Sequence, residues 1–147
     1  MMVEPTPALV FYTMTINAAY GYCILVVCLS WLIQTWLGIN VLRARRAYDV
    51  QNPRVYGDHM FNCIQRAYQN SIENYPSFVA LMLIGGLHYP RMSAFGGFLW
   101  TISRIFYARG YYSGDPSKRL KGAFGYLGMF IMFMCTFITG LSTLQWV

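Results

Sequence analysis

Two short residue series in this chain have the types and the spacing for ligand chemistry. Arg66, Asn70 and Glu73 stand at i, i+4 and i+7. Arg104, Tyr107 and Tyr111 stand at i, i+3 and i+7. With about 3.6 residues per helical turn, each series falls along one stripe of a helix. Arg45, Arg46 and Arg119 lie nearby in the reading, at expected helix ends. Guanidinium forks accept carboxylates. A carboxylate such as Glu73 would take an amino group, and the Asn70 amide a peptide bond. The combination suits a small anionic, peptide-like ligand.

These residues must be positioned by elements that cross a membrane. The chain has 147 residues, 56% hydrophobic and 11% charged, whereas an average soluble domain carries about 25% charged residues. So few charges cannot cover a soluble surface, and so many apolar residues exclude disorder. At about 20 residues per span, the length allows three or four spans and no separate soluble domain. No charge occurs from Pro5 to Leu42 or from Gly122 to Val147. Breakers fall at Pro53 and Gly57, at Tyr89-Pro90-Arg91, and at Ser113-Gly114-Asp115-Pro116. Pro116 suits an early helix position. The reading is an all-α membrane protein, a single domain over 1–147, with helices near 8–46, 59–88, 92–113 and 117–145. Short connections make it an antiparallel four-helix bundle.

The formal charge is +6, but its distribution matters more than its sum. Of the eleven Lys and Arg residues, all but Arg91 gather at one end of the expected bundle. By the positive-inside rule that end faces the cytosol. A membrane-embedded chain makes nucleic acid an unsuitable partner, although Arg43-Ala44-Arg45-Arg46 has the look of a nuclear signal. Arg43, Arg54 and Lys121 read as topology determinants. The reading sets Glu73 and Arg104 each about two turns inside a helix. Ionisable groups there face a bundle interior or a wet cavity.

Structural readings compete with the ligand reading. Arg66, Asn70 and Glu73 can form an interhelical network, and Tyr107 and Tyr111 can serve as interfacial aromatics. Gly122, Gly125 and Gly128 make a small-residue track suited to close helix packing. His59 and His88 have no partner at metal-ligand spacing, so no metal is expected. Cys23, Cys28, Cys63 and Cys135 match neither a zinc nor a disulfide pattern. The N-terminus lacks a basic n-region, so no cleaved signal peptide is expected. A channel would need polarity across the whole membrane, whereas here polarity is confined to the basic end.

The run Arg66-Ala67-Tyr68-Gln69-Asn70-Ser71-Ile72-Glu73-Asn74-Tyr75-Pro76 resembles the second-helix signature of the MAPEG family, the membrane-associated proteins in eicosanoid and glutathione metabolism. Arg104-Ile105-Phe106-Tyr107-Ala108-Arg109-Gly110-Tyr111-Tyr112 and Ala44-Arg45-Arg46-Ala47-Tyr48 agree with it. Phe61-Asn62-Cys63-Ile64-Gln65-Arg66-Ala67 and Pro116-Ser117-Lys118-Arg119 are similar to its type 3 microsomal glutathione S-transferase subgroup. The resemblance implies a homotrimer in the endoplasmic reticulum membrane, binding glutathione between protomers near the cytosolic surface. Arg66, Asn70, Glu73, Arg104, Tyr107 and Tyr111 would hold glutathione, with Arg45 reaching in from the neighbouring protomer. Arg119 would activate the thiol, or Lys118 if the turn aligns without a gap, and Arg46 would serve the electrophile side.

The implied activity is a glutathione transferase or peroxidase acting on lipophilic electrophiles, such as epoxides of the leukotriene A4 kind, or on lipid hydroperoxides. A non-catalytic lipid-binding scaffold of the same fold is the alternative. Members of that kind carry aspartate in place of Glu73. Tyr68 and Asn74 depart from leukotriene-forming members, which have glutamine and tyrosine there.

Overall fold

The computed structural model describes residues 17–145. Among them the chain is all-helical. Four α-helices follow in order: α1 Gly21–Ala47, α2 His59–Gly85, α3 Pro90–Tyr111 and α4 Gly125–Thr143. One short 3-10 turn, Ala18–Tyr20, precedes α1, and a longer 3-10 segment, Pro116–Gly122, precedes α4.

Four of these six starts have a local cause. The Asn17 side chain accepts from Ala19 N at 2.9 Å and opens the first 3-10 turn. Asp58 is the N-cap of α2 and accepts from Met60 N at 2.7 Å, the standard use of a short acceptor side chain at a helix start. Pro90 opens α3 at its first position, where a missing N–H costs nothing. Asp115 caps the second 3-10 segment, accepting from both Ser117 N and Ser117 Oγ. These two bonds hold the Asp115 carboxyl below its ordinary pKa. At the other end of α1, Arg45 and Arg46 occupy the last turn, where cations offset the helix dipole.

Hydrogen bonds between elements fix the course of the chain. Ser30 Oγ meets Tyr75 OH at 3.0 Å and Ser71 Oγ donates to Gln34 Oε1 at 2.7 Å, so α1 and α2 run antiparallel. Ser93 Oγ donates to Met82 O and Arg104 Nη1 to Asn70 Oδ1, so α2 and α3 are antiparallel too. Cys23 lies against Pro90 and Asn40 against Tyr112, so α1 and α3 are parallel. Thr136 Oγ1 donates to Leu81 O across α4 and α2. The α3–α4 seam is closer still. A Cβ on Gly125 would strike Ser103, and one on Gly128 would strike the Gly96 carbonyl.

Three apolar clusters fill the interior, the smallest being Val41, Ala44, Val50 and Phe61 at the end of α1. Phe78 and Trp100 stack at 4.2 Å among Cys23, Met82 and Met132. Leu37, Cys63, Ala67, Tyr107 and Tyr111 form the second, nearer the basic end. Outside these clusters, the His59 ring Nε2 contacts Gly114 O at 2.7 Å and ties the start of α2 to the turn after α3.

Several expectations change. The fourth α-helix begins at Gly125, not near Ser117, because the Pro116-led segment packs its backbone onto Gly110 as a 3-10 coil. A second α3 constraint, Tyr107 against Gly122, turns the chain once more before α4. The first α-helix begins at Gly21, and the part of the expected span before residue 17 lies outside the described residues. Pro90 belongs to α3 rather than to a turn. Counted from His59, Glu73 lies about four turns inside α2 rather than two. Two described helices, Ala18–Ala47 with its 3-10 start and Gly125–Thr143, are long and apolar enough to cross a membrane. Polar side chains such as Arg66, Glu73, Arg104 and Arg109 dilute α2 and α3.

Candidate active site

A cavity of about 250 Å³ opens at the basic end. Arg66 and Asn70 line it from α2, and Tyr107 and Tyr111 from α3. Arg119, Leu120 and Ala123 come from the segment before α4, and Tyr126 from its first turn.

Arg104 organises the wall. Its residue is only 5% exposed, yet the guanidinium is not isolated. Nη1 donates to Asn70 Oδ1 at 3.2 Å, and Nε and Nη2 reach Ser103 Oγ at 3.3 Å. The cation also lies 4.8 Å from the Tyr107 ring and 5.1 Å from that of Trp100. Aromatic faces stabilise a desolvated cation, which explains how a buried guanidinium is tolerated here. The Tyr107 and Tyr111 rings follow, with centroids 5.3 Å apart.

Arg119 is held from one side. Its Nη1 donates to Tyr111 OH at 3.1 Å, which raises the guanidinium pKa above its ordinary value. Among the described residues its other N–H groups have no partner and can meet an anion, since a guanidinium carries five donors. Lys118 is turned elsewhere. Its Nζ lies 3.9 Å from Asp115 Oδ2, its backbone packs on Gly110, and it is absent from the cavity wall.

Arg66 Nη1 lies 3.3 Å from Glu73 Oε1, and both side chains are about half exposed. The pair sits on the outer side of α2 rather than in the interior of the chain. Arg45 and Arg46 are not brought to this cavity. Arg45 Nη1 donates to Arg54 O at 2.6 Å and its guanidinium covers the Phe61 ring. Together with Asp49 and Gln51, Arg45 and Arg46 border a separate hollow at the end of α1.

Leu120, Ala123 and Tyr126 were missed by the sequence reading. Tyr126 sits in an apolar run whose hydropathy hides one hydroxyl. Its position seven residues after Arg119 was the available signal, since the two lie close once the chain coils. Among the described residues, no group of His, Cys, Asp and Glu side chains could hold a metal.

What this arrangement offers is cationic donors, an amide and phenols around a small hollow, with buried support behind them. Comparison with known proteins gives the family. The MAPEG family model matches residues 23–139. An uncharacterized protein of Synechocystis sp. is 32% identical over 109 residues, 74% of this chain and 80% of its own length. Microsomal glutathione S-transferase 2 of Bos taurus is 34% identical over 106 residues, 69% of this chain and 72% of its own. Leukotriene C4 synthase of Bos taurus is 32% identical over 87 residues, and the match spans 58% of that protein. With a family match over most of its length, and with Arg66, Asn70, Tyr107, Tyr111 and Arg119 gathered around one cavity, the chain belongs to the MAPEG family, whose proteins are membrane-embedded.

Proposed function

We propose that the protein is a membrane-bound glutathione transferase whose cavity at the basic end binds glutathione and ionises its thiol. The observation that carries this reading is Arg119. Its guanidinium lines the cavity and is anchored through a single nitrogen to Tyr111. A free thiol has a pKa of about 8.5, so little of it is thiolate at neutral pH. A facing guanidinium favours the thiolate, and each unit of lowering corresponds to about 1.4 kcal/mol. Arg119 supplies that charge at every working pH. In this reading Arg104, Asn70, Tyr107 and Arg66 orient the peptide, and Glu73 takes its amino group.

The half-exposed Arg66–Glu73 pair supports an assembly in which a neighbouring copy covers it. A homotrimer fits, with Arg45 offered to the next protomer and Arg46 placed on the electrophile side. All four α-helices would then span the membrane, with the cavity toward the cytosol and an endoplasmic reticulum location. The second substrate would be a lipophilic electrophile arriving from the bilayer, or a lipid hydroperoxide reduced by the same thiolate. The names of the relatives above favour the transferase.

The test is ultraviolet difference absorbance of the purified protein with glutathione. The wild type should show a thiolate band near neutral pH, and so should Lys118→Ala. Arg119→Ala should lose the band, with a conjugation rate down by about 100-fold, the scale of removing one preorganised charge-stabilising group. A full band in Arg119→Ala would remove this residue from the role.

A further inference from the structure

We infer that Tyr126 is a further catalytic residue for the transferase reaction, a proton donor to the oxygen of an epoxide opened by the thiolate. The inference rests on the function proposed above.

Three tyrosines line the cavity, and their hydroxyls are differently placed. Tyr111 OH accepts from Arg119, and its residue is only 4% exposed. Tyr107 is also buried, with its ring beneath the Arg104 guanidinium. Tyr126 is 69% exposed, and its hydroxyl has no hydrogen bond among the described residues. Of the three it is the one free to meet an incoming molecule.

Its place is fixed by the backbone rather than by its own contacts. Gly125 lets α4 start against Ser103, because any Cβ there would strike that side chain. Tyr126 N donates to Ala123 O at 3.0 Å, which completes the turn out of the Arg119 segment. Below Tyr126, Phe130, Phe133 and Phe137 are exposed at i+4, i+7 and i+11. That spacing continues one face of α4. Tyr126 therefore stands where the polar cavity meets an apolar ridge. A lipophilic substrate sliding along the ridge would bring its reacting oxygen to the phenol and its carbon toward Arg119.

The step balances without another reagent. The glutathione sulfur attacks one epoxide carbon and forms a C–S bond. The C–O bond to that carbon breaks, and its electron pair goes to oxygen. The Tyr126 O–H proton passes to that alkoxide, giving the alcohol. The phenolate regains a proton from water. Proton donation by a placed side chain contributes about 100-fold or more.

The test compares two electrophiles on the full-length protein, styrene oxide and chlorodinitrobenzene. Chloride leaves without a proton, so only the epoxide needs the donor. Tyr126→Phe keeps the ring and removes the hydroxyl. It should lower the turnover of styrene oxide by about 100-fold, while chlorodinitrobenzene conjugation and the thiolate band stay within about twofold. Equal loss on both electrophiles, or loss on neither, overturns the inference while leaving the transferase reading standing. Absence of the thiolate band in the wild type overturns both.

Discussion

Two hollows of opposite character lie at the two ends of this molecule. The one between α1 and α3, away from the basic end, has a volume of about 570 Å³ and is bordered by Leu25, Leu29, Phe95 and Phe98, with Arg91 at its rim. The one at the basic end is less than half that volume, about 250 Å³, yet arginines, tyrosines and an asparagine surround it. The larger hollow has room without chemistry. Its walls are side chains that lipid tails would cover equally well. The smaller one holds donors that cost free energy to desolvate, and only some of them are used up in tying helices together. Volume alone is therefore a poor guide to function, and the concentration of supported polar groups is a better one.

The same contrast holds along the helix seams. At the Phe78–Trp100 level, α2 and α3 meet through stacked rings. Higher on the same two helices, Asn70 and Arg104 meet through a hydrogen bond. Breaking the seam that backs the polar hollow should have the largest effect. Gly125→Val drives new atoms into Ser103 beside Arg104. A loss of about 3 kcal/mol is expected, the upper range for overpacking. Thermal unfolding in detergent measures it, and an unchanged transition would mean that α4 can swing away from α3.

Asn70→Ala sharpens the comparison at the level of one bond. It removes the Oδ1 acceptor from a guanidinium that is almost wholly buried. The orphaned donor should cost about 2 kcal/mol in denaturant or thermal unfolding, with weaker glutathione binding by calorimetry. A variant that bound glutathione as tightly as the wild type would show that Asn70 serves the helices alone.

The smallest expected effect lies at the cap of the 3-10 segment. Asp115 has a folded-state pKa below its ordinary value, through its bonds to Ser117. Its contribution is therefore fully present above the unfolded carboxylate value of about 3.9 and fades as pH falls through the lower folded value. The melting difference between the wild type and Asp115→Asn should be constant near neutral pH and shrink toward zero in acid. A gap that persisted in acid would mean that the cap does not depend on ionisation.

Helical periodicity made much of this legible. Arg104, Tyr107 and Tyr111 share a stripe, and burying that stripe brings them together without any knowledge of the tertiary structure. Arg66 and Asn70 follow the same logic on α2. Periodicity does not say which way a stripe faces. Arg66 and Glu73 lie half exposed on the outside of the chain, a choice made by how the four helices pack on one another. Nor does it see 3-10 geometry, which was set by the close approach of Lys118 to Gly110. Leu120, Ala123 and Tyr126 entered the wall only because that tighter coil displaced the start of α4.

The contact between His59 and Gly114 reaches further than its one hydrogen bond. Arg66 lies two turns along the helix that His59 begins, and Arg119 follows five residues after Gly114. One imidazole therefore works as a clasp between the two chain segments that carry the cavity's outer cations. The gap across which those cations face each other is gauged outside the hollow, at a residue no ligand would touch.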